Sequence, residues 1–86
     1  MPYLDEQSKS LLKPLTSAIN ETPAFNAGEL NYLFTMLSKR YLEQHGESYQ
    51  RYNDLLGALE GCKLELYRRK VSIYEQEKIK INGDVF

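Results

Sequence analysis

The sequence has no tryptophan, and its single cysteine is Cys62. No apolar run approaches the roughly 20 residues that a membrane span needs. One cysteine excludes an intramolecular disulfide and any zinc site built on several thiolates, and it fits a reducing compartment. Neither sign of charge is in excess, with 11 Lys and Arg against 12 Asp and Glu. That balance removes the broad positive field on which nonspecific nucleic-acid binders depend, so nucleic acid is disfavoured as a partner. The start, "MPYLDEQSKS", lacks the basic-then-apolar form of a secretory signal, and the expected location is the cytoplasm, without a membrane partner.

Eighty-six residues are expected to make one domain, residues 1–86. A chain this short buries only about 60–65% of the surface it exposes unfolded, which makes association with a partner or a second copy an expectation.

The apolar spacing is helical. Leu11, Leu12, Leu15, Ala18 and Ile19 recur at three and four, interrupted by Pro14, which predicts either a kink or a short turn followed by a helix with Pro14 in its first turn. Residues 21–27 read as a loop. Asn26 and Glu29 have the spacing of a capping box. Leu30, Leu33, Phe34, Leu37 and Tyr41 then predict an amphipathic helix to about Glu43, ended by Gly46, with Ser48 placed to start the next.

From Tyr49 to about Lys80 there is no proline, and one helix of about 30 residues is predicted, on the order of 45 Å long. At 100° per residue, Leu55, Leu59, Cys62, Leu66 and Ile73 form one stripe. Tyr49, Tyr52, Leu56, Leu64, Tyr67, Val71 and Tyr74 form a second beside it. Together they cover roughly half the circumference, wider than the stripe of about 100° on a one-sided helix, and a second copy of the chain is the expected cover. The predicted fold is all-α: two short N-terminal helices, the first broken at Pro14, packed on a long C-terminal helix in a helical homo-oligomer.

The chain closes on "INGDVF". Asn82 and Gly83 can stop the long helix, with Gly83 expected in the left-handed conformation. Val85 and Phe86 are then expected to fold back onto apolar surface of their own or a neighbouring chain, leaving Phe86 at least half buried.

Few side chains suggest chemistry. Glu60 and Lys63 sit three apart at the border of the apolar arc, either as a pair lining a pocket or as an intrahelical ion pair. "YRRK", residues 67–70, sets Tyr67 beside Arg68, Arg69 and Lys70, a composition suited to phosphate or base contacts. Glu65, Glu75 and Glu77 interleave with these bases at helical spacing, so a solvated face of ion pairs explains the run as well. His45 has no triad partner in view, and Cys62 reads as a small hydrophobe rather than a nucleophile. No enzymatic activity, cofactor or metal is expected.

"GELNY" (28–32), "GALEGCKLELYRRK" (57–70), "YEQEKIKINGDVF" (74–86) and the opening "MPY" resemble a family of small proteins from tailed phages and prophage-bearing bacteria, catalogued as a domain of unknown function. The resemblance implies a helical accessory protein without known catalysis, acting in the host-cell cytoplasm. Its polar pattern falls on Asn31, Tyr32, Asn53, Glu60, Lys63, Glu65, Tyr67, Arg68, Arg69, Tyr74, Glu75, Lys78, Asn82 and Asp84. Except for Glu65 and Glu75, these are the candidate ligand- or partner-binding residues. The expected function is a non-enzymatic interaction module that binds and modulates a host protein, with a counter-defence role. The alternatives are a binder that sequesters a nucleotide-like small molecule and, behind it, a nucleic-acid adaptor.

Overall fold

A computed structural model describes residues 3–86. Among them every regular element is helical. The first helix, α1 (Glu6–Leu11), starts at Asp5, whose carboxylate accepts the Ser8 N–H at 2.8 Å. Leu12 separates it from α2 (Lys13–Glu21), which carries Pro14 in its first turn, where the missing N–H has no intrahelical partner to lose. Of the two predicted outcomes at Pro14, the structure takes the turn followed by a new helix. Thr22 ends α2, its hydroxyl donating to the Ala18 carbonyl and its N–H to that of Ile19.

The capping box forms as its spacing predicts. Asn26 Oδ1 accepts the Glu29 N–H at 2.8 Å, and Glu29 Oε1 accepts the Asn26 N–H at 2.9 Å, so two otherwise orphaned donors are satisfied reciprocally. The helix this opens, α3, runs Ala27–His45, two residues beyond the predicted end. Gly46 stops it, and the Ser48 hydroxyl accepts the Arg51 N–H to start α4.

The long helix is continuous from Tyr49 to Asn82 but not uniform. It consists of α4 (Tyr49–Leu66), a π-turn (Tyr67–Val71) and α5 (Ser72–Asn82). In the π-turn the Ser72 N–H reaches back five residues to the Tyr67 carbonyl. The Ser72 hydroxyl donates to the Arg68 carbonyl at 2.9 Å, giving an acceptor in the widened turn a partner.

Both helix-stopping glycines have positive φ, Gly46 at 79° and Gly83 at 85°. Their ψ values of 151° and 159° differ from the left-handed helical geometry expected for Gly83. They occupy the extended positive-φ region that only glycine adopts readily.

The chain divides into two compact units, residues 3–52 and, from Asn53 onward, residues 53–86. Neither contains a buried side chain among the described residues. In the second unit the elements are consecutive turns of one helix followed by a short tail, and a lone helix has no second surface to bury its apolar face against. The docked tail expected from the sequence is absent: Phe86 is fully exposed and Val85 is 91% exposed. Asp84 Oδ1 then accepts the Phe86 N–H at 3.0 Å in a local turn that adds no apolar contact.

Candidate functional site

The candidate residues do not converge on one site. Asn31 and Tyr32 lie in α3, within residues 3–52, and the other candidates belong to residues 53–86. The Asn31 carbonyl accepts the Thr35 hydroxyl, an ordinary intrahelical contact. Asn53 lies in the first turns of α4. Glu60 and Lys63 form an ion pair at 3.6 Å with both side chains more than half exposed. That is an intrahelical pair on a wet surface, where such contacts contribute only a few tenths of a kcal/mol.

The densest polar cluster surrounds the π-turn. Arg68 Nη2 donates to both carboxylate oxygens of Glu65, at 2.9 and 3.0 Å, and Arg69 Nε donates to Oε2 at 2.6 Å. Glu65 is 22% exposed, the least exposed side chain of these ion pairs. Two guanidinium groups on one carboxylate give "YRRK" the intrahelical ion pairs of one of its two readings.

Past the turn, the Tyr67 hydroxyl donates to Glu75 Oε2 at 2.9 Å across eight residues. In a regular α-helix residues i and i+8 differ by about 80° around the axis; one extra residue in the π-turn cuts this to about 20°. The bond therefore depends on the turn. It holds the phenol above its ordinary pKa, chiefly through the hydrogen bond itself and then through the carboxylate's charge. Tyr74 follows, with the Lys78 ammonium 5.5 Å from its ring centroid.

Lys78, Asn82 and Asp84 line an open groove of about 410 Å3 between the last helical turns and the tail, together with Glu75, Ile79 and Phe86. Its electrostatics suit a cation better than an anion. The helix C-terminus contributes partial negative charge, and Glu75 and Asp84 add carboxylates against the one ammonium of Lys78.

Sequence reasoning left Glu65 and Glu75 out of the candidate set, although they organise Tyr67, Arg68 and Arg69. The usable signal was position: Glu65 stands three and four residues before the two arginines. Among the described residues no cluster of His, Cys, Asp and Glu could hold a metal ion, and no helix is long and apolar enough to cross a membrane.

No curated protein and no solved structure matches the chain. A family model does match, over residues 1–85, so that nearly every residue discussed above is part of one recurring unit. The chain belongs to the family described as a domain of unknown function, DUF6899.

Proposed function

We propose that the chain is a non-enzymatic interaction module, a helical homo-oligomer that binds and modulates a protein partner. The observation that carries this reading is the long helix in the unit 53–86, whose apolar side chains are left in water. Leu59, Leu66, Tyr74 and Ile81 are 40%, 58%, 62% and 73% exposed. Fully covering an aliphatic or aromatic side chain is worth about 1.5–3 kcal/mol, so four that are about half exposed supply a driving force of several kcal/mol.

The resemblance of "GELNY", "YRRK" and the "NGDVF" ending to small phage and prophage proteins supports placing the partner in a host cell's cytoplasm, with a counter-defence role. Sedimentation velocity between about 1 and 200 µM tests the assembly. A concentration-dependent shift to a defined oligomer is expected, and a monomer throughout refutes the reading. Affinity capture from host lysate, followed by reconstitution with the purified partner, tests the second half.

The groove beside Lys78 and Asn82 is the one feature favouring a small-molecule role. Its acidic lining weighs against an anionic nucleotide. A thermal-shift panel of mono-, di- and cyclic nucleotides is expected to be flat, whereas stabilisation by any of them that saturates with concentration would make the nucleotide-binding role primary.

A further inference from the structure

Tyr74 and Ile81 are one residue out of phase with Leu59 and Leu66 on the long helix, and the π-turn corrects the phase. Leu59 and Leu66 are seven apart, Leu66 and Tyr74 eight, Tyr74 and Ile81 seven. A heptad seam requires sevens throughout, so the sequence carries one surplus residue between Leu66 and Tyr74. That interval contains the π-turn, Tyr67–Val71, which winds one extra residue into the helix.

The consequence can be followed around the axis. In an uninterrupted α-helix, Leu55, Leu59, Cys62, Leu66, Val71, Tyr74 and Ile81 spread over about 180°. With one residue absorbed at the π-turn, they fall within about 80°, and Leu59, Leu66, Tyr74 and Ile81 drift by about 20° per step. That drift is the one that winds two helices around each other in a left-handed supercoil. The π-turn therefore brings Val71, Tyr74 and Ile81 into line with Leu55, Leu59, Cys62 and Leu66, while Leu56, Leu64 and Tyr67 stay outside this seam. Val71, part-buried at the end of the turn, moves to the edge of the seam.

We infer that this seam is a coiled-coil surface whose occupant is the same helix of a second copy, running antiparallel. The inference rests on the self-associating reading above and specifies its geometry. Direction follows from charge. From Asn53 to Leu66 the helix carries Asp54, Glu60 and Glu65 against Lys63, a net of −2. From Tyr67 to Asn82 it carries Arg68, Arg69, Lys70, Lys78 and Lys80 against Glu75 and Glu77, a net of +3. A parallel pair sets the positive halves against each other, whereas an antiparallel pair sets each against the other chain's negative half. A narrow, aliphatic and aromatic seam with a one-residue skip also selects its partner, since only a helix with a matching skip stays in contact along the full length.

Two single-residue deletions test the seam. Removing Lys70 deletes the surplus residue and restores uninterrupted heptads, so the deletion variant should assemble within about threefold of wild type. Removing Ala58 breaks the phase between Leu55 and Leu59 with no turn to absorb it, and should weaken assembly more than about tenfold. Leu66→Glu removes little intrachain packing, because Leu66 is more than half exposed in the single chain. It should also weaken assembly more than tenfold while leaving helix content by circular dichroism unchanged.

Direction is read by spin labels at Lys80→Cys in a Cys62→Ser background. An antiparallel pair centred on the helix places the labels about 40 Å apart. A parallel pair holds them within about 25 Å. A short distance overturns the antiparallel arrangement. An assembled wild type whose Lys70 and Ala58 deletions behave alike overturns the seam and leaves the oligomer standing. A wild type that never assembles overturns the oligomer, and the seam with it.

Discussion

Tyr67 and Glu75 are joined at 2.9 Å across eight residues of one helix, a contact that exists because the turn between them holds one residue too many. The bond is a staple over the π-turn. Because it favours the protonated phenol, the folded pKa lies above the unfolded value near 10.0, the helix binds the proton more tightly than the coil, and this contribution is complete below pH 10. It is lost as pH rises through the raised folded pKa. Tyrosinate absorbance at 295 nm, compared between wild type and Tyr67→Phe, should show that the residue removed by the substitution titrates above 10. Glu75→Gln should bring that titration back toward the ordinary range. A Tyr67 that titrates with the bulk tyrosines refutes the staple.

The two glycines that end the long segments are predicted to be intolerant of any side chain. At φ near +80° and ψ near 155°, an added Cβ is strained by its own backbone, although nothing lies within 4 Å of the place it would occupy. Gly46→Ala and Gly83→Ala should each cost about 1–3 kcal/mol. Gly57→Ala and Gly61→Ala, inside α4 with open space around them, should instead stabilise the helix by up to about 1 kcal/mol. Thermal melts of the four variants check the opposite signs.

Asn26→Ala removes the side chain that accepts the Glu29 N–H and unseats the reciprocal bond to the Asn26 N–H. A cost of about 1 kcal/mol is expected, with fraying confined to the start of α3. Asn26→Asp should retain the cap. Hydrogen exchange at residues 27–30 distinguishes local fraying from general destabilisation, which would contradict the assignment.

Which features could be read from the letters depended on how locally each was encoded. The capping box, Pro14 in a first turn, the Gly46 stop and the extent of the long helix each depend on residues within one turn of one another, and the sequence predicts them within two residues. The π-turn is different. "YRRKV" contains no proline or glycine to mark it, and its trace, the interval of eight between Leu66 and Tyr74, only moves Val71 and Tyr74 into the second apolar stripe when a constant 100° per residue is assumed. The tail differs for a similar reason: Gly83 correctly implied positive φ, but no residue type encodes its ψ of 159° or the exposure of Phe86. The candidate polar residues were legible as a set and not as an arrangement, because the carboxylates that organise them, Glu65 and Glu75, read as background charge.

The last prediction concerns what the basic run does not do. Glu65 receives three hydrogen bonds from Arg68 and Arg69, so one partly exposed carboxylate already engages both guanidinium groups that a phosphate backbone would need. Releasing them to DNA means giving up two charge-assisted contacts, each worth about 0.3–1 kcal/mol at partly exposed positions, for phosphate contacts weakened by salt. Fluorescence anisotropy with a 20-base-pair duplex should therefore show no saturable binding of the wild type at 150 mM salt. Glu65→Gln should destabilise the helix by about 1 kcal/mol and raise duplex affinity at 50 mM salt, with a dependence on log salt that the wild type lacks. Tight, salt-sensitive binding by the wild type would instead make "YRRK" a nucleic-acid surface and the Glu65 contacts a resting state of it.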